Sequence, residues 1–224
     1  MKIDIKGAIV TNDDKWIYDW LDMDAVCPRD VLRAIENANG EKLDIYINSP
    51  GGDVFAGSEI YAALQAYTGE VRIHVVGSAC SAASVIACAG RSDMVRTGLF
   101  MYHNVSGGFK GDYHAMDKGS EILQTANRAI AAAYREKTGK TEKDLLQAMD
   151  AETWITAEEA VALGFIDEIA ENKNLRLAAS APGVLPAAVL GKVRNIANNP
   201  QSKENADVLK ARHKLLNLKV EVKP

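Results

Sequence analysis

Short strand-like runs alternate with helix-like runs over the first 171 residues, and this alternation restricts the chain to few folds. The strand-like runs are KIDIKGAIV, LDIYIN, VRIHVVG, DMVRTG followed by LFMYH, and GFIDEI. One helix-like run, CPRDVLRAIENANG, opens with a proline and closes with Asn-Gly, which are common start and stop signals. Because such alternation builds βα units, we predict an α/β fold.

The longest helix is predicted over residues 113–137. Apolar side chains recur there at helical spacing, and Gly139 follows as a stop signal. The helix therefore carries one apolar stripe, formed by Met116, Leu123, Ala126, Ile130 and Tyr134.

The size and hydropathy of the chain indicate one main soluble domain. A chain of 224 residues that is 47% apolar is long enough to bury one substantial core. Its first ten residues, MKIDIKGAIV, include charged side chains, and no later run reaches the roughly 20 apolar residues of a membrane span. We therefore expect an intracellular, cytoplasmic protein.

The cysteines argue against a disulfide framework and against a zinc site. Cys27, Cys80 and Cys88 are odd in number and lack metal-ligand spacing. We predict that all three are small buried side chains.

Charge is divided unevenly along the chain. Residues 172–224 hold ten Lys and Arg against three Asp and Glu, although the whole chain has a net charge of −4. We place a boundary near residue 172, between a main domain (1–171) and an Ala/Pro-containing linker with a basic, partly helical tail. Helical spacing in the tail is carried by Val208, Ala211, Leu215 and Leu218. Such a tail is a solvated tether or a segment that docks nucleic acid or a partner.

Two adjacent glycines separate the strand in YINSPGG from the helix that follows. Neither phosphate-loop pattern, G-x-G-x-x-G or G-x-x-x-x-G-K-[ST], is present. Gly51 and Gly52 can form a tight turn, or their bare backbone can present an N–H group to a developing negative charge. The glycines alone leave both interpretations open.

A second junction lies in VVGSACSAASVIACAG, where a strand breaks at Gly77 and small residues follow. Ser78, Ser81 and Ser84 could each cap the helix. A serine nucleophile requires the same placement, because a helix N-terminus supplies backbone donors and a favourable field for an oxyanion. The pattern is not G-x-S-x-G, so an α/β-hydrolase elbow is not indicated.

Of the four histidines, His103 has the best setting for a general base. It ends a predicted strand and faces a glycine-containing loop, where a rigid scaffold can position it beside substrate. His74 lies inside a strand and is expected to be structural. His114 and His213 fall on helical surfaces.

Taken together, these stretches resemble the proteolytic subunit of the Clp protease, a serine peptidase family. The matching motifs are YINSPGG with AGSEIYAAL, GSACSAAS for the family's Gly-x-Ala-x-Ser block, MYHN, and TWITAEEAVALGFIDEI. They span residues 45–170 in the family's order. The opening MKIDIKGAIVTNDDKWIYDWL and the GDVFAGS variant resemble the bacteriophage and prophage branch, whose members are taken to cut capsid or scaffold proteins during head maturation.

The resemblance implies a role for each matching residue. Ser81 would be the nucleophile, His103 the general base, and the backbone N–H groups of Gly52 and Ala82 the oxyanion hole. The family's aspartate aligns with Glu152, and a glutamate can orient a histidine if the backbone retreats slightly.

The acid has two alternatives. Asp150 is the other candidate, two residues before Glu152. Both acids could instead be ordinary residues of a helix start, where acidic side chains oppose the helix dipole.

The resemblance also implies an architecture and partners. The fold would be a crotonase-like spiral of ββα units, with two stacked homo-oligomeric rings joined by the helix at 113–137 and a mobile strand, VSGGFKGD, beside a polypeptide substrate. No metal or organic cofactor is implied. Cellular members carry an N-terminal extension that contacts a ring ATPase, and since the first strand here begins almost at Met1, a ring ATPase partner is doubtful. The basic tail is expected to tether the chain to capsid protein or packaged nucleic acid.

Other interpretations use the same fold. A catalytically silent capsid-assembly or scaffold component becomes credible if Glu152 cannot replace aspartate. A crotonase-type acyl-CoA enzyme would stabilise an enolate with paired backbone amides, but it has no need for Ser81 and His103. Signal-peptide peptidases pair a serine with a lysine in a membrane-associated chain, and neither feature is evident here.

Overall fold

A mixed β-sheet forms the centre of the structure, a computed structural model that describes residues 1–170 and 184–197. The strands are β1 (Lys2–Ile9), β2 (Ala25–Val26), β3 (Leu43–Gly52), β4 (Val71–Cys80), β5 (Arg91–Met94), β6 (Leu99–Tyr102), β7 (Thr153–Thr156) and β8 (Glu168–Ile169). The order β2-β1-β3-β4-β5-β8 is parallel throughout, while β6 pairs parallel with β4 and antiparallel with β7. The α/β class predicted from the sequence is confirmed.

Helices cover the sheet. They are α1 (Lys15–Trp20), α2 (Pro28–Asn37), α3 (Val54–Ala66), α4 (Ala82–Ala87), α5 (Tyr113–Thr138), α6 (Glu142–Asp150), α7 (Ala157–Ala162) and α8 (Ala187–Ala197). Pro28 is the first residue of α2, as the sequence predicted, because a helix start has no partner for the N–H group that proline lacks. Within the described ranges, no helix is both long and apolar enough to cross a membrane.

The central strands β3 and β4 bring the two predicted junctions together. Along β3, every second residue is buried, so that one face packs on the helices of the core. The strands run parallel, and after a shift in register between Ile47 and Ser49, Ser49 pairs with Ala79 near their carboxyl ends. Because both strands end at the same edge of the sheet, the Gly-Gly junction after β3 lies beside the serine-containing junction after β4.

The predicted long helix is confirmed as α5. Its start is capped by the Asp112 carboxylate, which accepts a hydrogen bond from the Ala115 N–H, and it ends at Gly139 with φ of +69°. The apolar stripe is only partly covered: Ile130 and Tyr134 are buried, whereas Met116 is 42% exposed. The first half of α5 therefore presents apolar side chains to the outside of the subunit.

The segment that the resemblance assigns to a mobile strand has no regular secondary structure. Residues 103–112 run from β6 to α5, and no strand of the described chain pairs with them. Within this segment, the Val105 N–H donates to Asn127 Oδ1 on α5 at 2.7 Å. Their remaining backbone groups do not take part in the sheet.

The C-terminal segment contains a helix that the sequence assigned to a linker. Residues 184–197 include α8, which packs on α1. Val193 is buried in a small hydrophobic cluster with Ile17 and Tyr18. The helical stretch predicted at 208–218 lies outside the described residues, and the boundary near residue 172 stays a prediction.

The cysteines and His74 have the structural roles predicted for them. Cys27, Cys80 and Cys88 are free and buried, and burial raises the pKa of each thiol, that of Cys88 to about 12. His74 Nδ1 lies 2.8 Å from Asp93 and its Nε2 lies 3.3 Å from Asp44, and these contacts raise the pKa of the imidazole.

Candidate active site

Ser81 occupies a strained turn between β4 and α4. Its φ is +53° and its ψ is −123°, a conformation that L-residues rarely adopt and that costs on the order of 1–3 kcal/mol. Three hydrogen bonds fix this backbone: the Ser81 N–H donates to Met101 O at 2.9 Å, and the Ser81 carbonyl accepts from Ser84 N at 2.9 Å and from Ser84 Oγ at 2.6 Å. The turn lifts the Ser81 side chain out of the sheet edge.

The other two serines of this junction are engaged elsewhere. Ser84 is fully buried, and its hydroxyl lies 2.7 Å from that of Tyr134 on α5, whose pKa burial raises. Ser78 Oγ donates to Asn48 Oδ1 at 3.3 Å. Of the three serines that the sequence left open, Ser81 is the one whose hydroxyl meets a histidine.

His103 lies directly opposite Ser81. Its Nε2 is 2.8 Å from Ser81 Oγ, within hydrogen-bond distance. This contact follows from the sheet, because β6 pairs with β4 up to Cys80 and Met101, and His103 is the second residue after that pair. The imidazole is half-buried, so that a substrate can still reach it.

Both glycines of the junction are required by close backbone packing. A Cβ added at Gly52, where φ is +152°, would lie 2.0 Å from the Ile9 carbonyl oxygen. A Cβ added at Gly51, where φ is +93°, would lie 2.6 Å from Cys80 O and 2.7 Å from Ser81 Cβ. Glycine at position 52 lets β3 pack against β1, which is a structural requirement. Glycine at position 51 lets the glycine loop, Gly51 and Gly52, approach Ser81 itself.

Two polar side chains that the sequence analysis did not single out support this loop. The buried Ser49 hydroxyl donates to Gly7 O at 2.7 Å and accepts from the Gly51 N–H at 3.1 Å. Asn48 Oδ1 accepts from the Ser78 N–H at 3.0 Å and fills the space beside Gly77, where a Cβ would lie 2.3 Å from it. Asn48 and Ser49 both belong to the motif YINSPGG, so the polar residues before its glycines could have indicated this support of the loop.

The two candidate acids, Asp150 at the end of α6 and Glu152 in the turn that follows, contact partners other than His103. Glu152 Oε1 accepts from the Trp154 indole N–H at 3.1 Å, and Trp154 is 52% exposed. Asp150 Oδ1 accepts from the Asn104 side-chain amide at 2.7 Å. Within the described residues the hydrogen bonds of His103 end at Ser81, so neither acid is bonded to the imidazole here.

Asn104 connects the histidine strand to this turn. The antiparallel pair of Tyr102 and Thr153 brings the α6–β7 turn next to the residues that follow β6. While the Asn104 amide nitrogen binds Asp150, its Oδ1 is buried without a hydrogen-bond partner among the described residues. Asp150 is thus hydrogen-bonded to Asn104, the residue next to His103, whereas Glu152 is hydrogen-bonded to the exposed indole of Trp154.

A cavity of about 480 Å³ opens in front of these groups, within the usual size range of ligand pockets. Ser81, His103, Gly52 and Ala82 all line it. Its other walls are mostly apolar, with contributions from the loop after His103, from α5 and from the C-terminal segment. Within the described residues, no group of His, Cys, Asp or Glu side chains has an arrangement that could hold a metal ion.

Comparison with known proteins places these features in one family. The profile of the Clp protease family matches residues 23–173, which carry the serine, the histidine and both acids. The chain belongs to the Clp protease family. It is 33% identical over 144 residues to ATP-dependent Clp protease proteolytic subunits of Streptococcus pyogenes serotypes M5 (strain Manfredo), M49 (strain NZ131) and M3 (strain SSI-1). Each alignment covers 62% of this chain and 73% of the relative.

Membership of the Clp protease family confirms the resemblance to the Clp proteolytic subunit and the Clp-type α/β fold, while the assignment to a phage or prophage branch stays a prediction. The family is one of serine peptidases, so the enzyme class expected from the sequence is supported at that level. The matched range ends at residue 173, next to the boundary predicted near 172.

The Gly52 restraint predicts a specific loss of stability. Gly52→Ala should destabilise the protein by about 3 kcal/mol, because its Cβ would meet the Ile9 carbonyl and the residue would keep a positive φ. Urea denaturation followed by circular dichroism measures this change.

Gly108→Ala is the matched control, since a Cβ there meets no atom within 4 Å. It should change the free energy of unfolding by less than about 0.5 kcal/mol. Equal stability of the two variants would mean that the β1–β3 contact is looser than described.

Proposed function

We propose that this Clp-family chain is a serine endopeptidase in which Ser81 is the nucleophile and His103 the general base. The 2.8 Å contact between His103 Nε2 and Ser81 Oγ is the observation that carries the proposal. A nucleophile and its base within hydrogen-bond distance, at the wall of a mostly apolar cavity, fit acyl transfer.

The reaction follows from this geometry. His103 Nε2 takes the Ser81 hydroxyl proton as Oγ attacks the carbonyl carbon of a peptide bond. The backbone N–H groups of Gly52 and Ala82 stabilise the oxyanion, and each such donor contributes on the order of a hundredfold to a thousandfold in rate. His103 then gives its proton to the leaving amine. Water hydrolyses the acyl-enzyme in the reverse sequence, and Ser81 regains its proton.

We propose Asp150, rather than Glu152, as the acid that orients His103. Asp150 is bound to the side chain of Asn104, the residue next to the histidine, whereas Glu152 is bound to an exposed indole. An acid of this kind holds the imidazole in the correct tautomer and stabilises the imidazolium. A rotation of the Asp150 side chain from the Asn104 amide towards His103 Nδ1 would complete the triad.

The substrate is an extended polypeptide in this proposal. The loop after His103 lines the cavity, and its backbone is not paired in the sheet of the described residues. A peptide that runs beside this loop can therefore form main-chain hydrogen bonds to it, as in strand addition. Apolar side chains from the loop and from α5, including Val105, Phe109, Leu123 and Ile130, would bind the substrate's side chains.

A homo-oligomeric ring or double ring is the proposed assembly. The first half of α5 exposes Tyr113, Met116 and Ile122. Such an apolar surface favours burial against another copy. The relatives are named ATP-dependent Clp protease proteolytic subunits.

Capsid or scaffold proteins of a phage or prophage are the proposed natural substrates. One support is the resemblance of the first 21 residues and of GDVFAGS to the bacteriophage and prophage branch. The other is the basic composition of residues 172–224, which suits a tether to an acidic partner. A cytoplasmic or prohead-associated location would follow.

The alternative functions account for less of the geometry. A silent scaffold component would not require a strained serine backbone held by three hydrogen bonds opposite a histidine. A crotonase-type acyl-CoA enzyme would use the Gly52 and Ala82 amides but would leave Ser81 and His103 without a role.

Labelling by a fluorophosphonate probe tests the nucleophile. We expect one adduct on the peptide that contains Ser81, measured by intact mass and peptide mapping, because the histidine makes this hydroxyl reactive. Ser81→Ala should abolish the adduct, and His103→Ala should slow labelling by at least a hundredfold.

Ser78→Ala is the matched control, because Ser78 lies in the same junction but binds Asn48. It should label like the unchanged protein. If a folded, assembled sample formed no adduct, the silent scaffold would be favoured instead.

The two acids predict different kinetic effects. Asp150→Asn should lower kcat/KM for a fluorogenic peptide by roughly a thousandfold to ten-thousandfold, as expected when the histidine loses its orienting carboxylate. Glu152→Gln should stay within about threefold, since the described hydrogen bond of the Glu152 carboxylate goes to the exposed Trp154 indole. The opposite ranking would return the role to Glu152.

The natural substrate can be tested with the structural proteins of the phage or prophage that encodes the chain. Incubation of purified capsid and scaffold proteins with the full-length enzyme should give discrete products, identified by N-terminal sequencing, that are absent with Ser81→Ala. Cleavage of an unrelated unfolded polypeptide alone would contradict the proposed substrate class.

A further inference from the structure

The C-terminal segment reaches the cavity that contains Ser81. Val184, Leu185 and Leu190 line the same cavity as Ser81 and His103. All three residues lie after residue 172, in the part of the chain predicted to be a linker and a basic tail. The structure thus brings a segment beyond the family match, which ends at residue 173, to the candidate active site.

Three kinds of contact hold this segment in place. The Leu185 N–H donates to the Tyr18 hydroxyl at 3.0 Å, and Tyr18 itself is buried in α1. Val193 of α8 is 5% exposed and packs in the small cluster around Tyr18. Arg194 forms an ion pair with Asp14, whose side chain is 13% exposed. Each contact joins residues 184–197 to α1 or to the residue just before it.

The apolar lining of the cavity therefore comes from two separate hydrophobic clusters. Ala82, Ile130 and Tyr134 belong to the main core under the sheet. Val10 and Tyr18, with Leu185 and Leu190 packed against them, belong to the second cluster. Ser81 lines the cavity with both groups, so side chains on opposite sides of a scissile bond would meet different clusters.

We propose that Leu185 and Leu190 determine specificity on one side of the scissile bond, and this inference rests on the proposed peptidase function. They form an apolar wall that accepts an apolar substrate side chain, while α5 and Ala82 serve the other side. The wall is supplied by a segment outside the family match. Substrate choice is thereby linked to the docking of α8 on α1.

The segment forms a wall and does not block the nucleophile. Ser81 Oγ keeps its hydrogen bond to His103, and within the described residues the hydrogen bonds of 184–197 to the rest of the chain go to Tyr18 and Asp14. Val184 remains 45% exposed at the cavity edge. A substrate can therefore enter without removal of the segment.

A cleavage profile of the full-length double variant Leu185→Ala/Leu190→Ala tests the inference. With a peptide library read by mass spectrometry, we expect the preference at one position on one side of the scissile bond to move towards larger apolar side chains. For the peptide best cleaved by the unchanged protein, KM should rise roughly tenfold while kcat changes little, because uniform binding is lost. Labelling of Ser81 by a small fluorophosphonate should be unchanged.

Val189→Ala is the matched control, because Val189 lies in α8 but does not line the cavity. It should leave the profile as it is. A second route uses Arg194→Ala, which removes the ion pair to Asp14 and should raise KM in the same direction, with Lys192→Ala as its surface control. Circular dichroism establishes that each variant is folded.

The outcomes separate the two proposals. An unchanged profile and KM in the folded double variant would overturn the specificity wall while leaving the peptidase function intact. Loss of Ser81 labelling in the double variant would also overturn it, since the segment would then support the nucleophile. Absence of labelling in the unchanged protein would count against the proposed function itself.

Discussion

The backbone of Ser81 is the constraint on which the rest of the site depends. Its positive φ is unfavourable, and the conformation persists because the Ser81 carbonyl accepts two hydrogen bonds from Ser84 and its N–H donates to β6. Ser84 in turn is held by the buried Tyr134 of α5. The reactive-looking hydroxyl is thus supported by a polar chain that runs through the core to the longest helix.

The glycine loop is the counterpart of this strained turn. Since a Cβ at Gly51 would collide with Cys80 and Ser81, the loop and the serine turn can approach only if this residue is glycine. Ser49 then fixes the loop from below by binding both Gly7 and Gly51. The backbones of the glycine loop and of the serine turn therefore lie close together because Gly51 has no Cβ and because the Ser49 hydroxyl binds the Gly51 N–H.

Much of this arrangement could be predicted from the sequence, and the failures have physical reasons. Most strands, the α5 helix and its Gly139 stop followed from local patterns, but the short strands β2 and β7 did not. His103 stood out by its place at a strand end, whereas Ser81 was selected from three serines only through the family resemblance. The partners of Asp150 and Glu152 did not, because a two-residue shift in one turn decides which carboxylate faces Asn104. The packing of α8 also escaped, since Val193 and Leu185 bind a cluster more than 160 residues earlier in the chain, and an alanine-rich stretch carries no signal of that contact.

Strand β6 joins the parallel and the antiparallel parts of the sheet, and the candidate site has residues on both parts. It runs parallel to β4, which leads to Ser81, and antiparallel to β7, which follows both acids in the chain. His103 is therefore attached to the strand that pairs with β7, next to the acids, whereas Ser81 is attached to the central strand β4. A slide of β6 along β4 would separate nucleophile from base while leaving the histidine beside Asn104 and Asp150. The distance between Ser81 and His103 is then set by the three residue pairs between β4 and β6, from Ser78–Leu99 to Cys80–Met101.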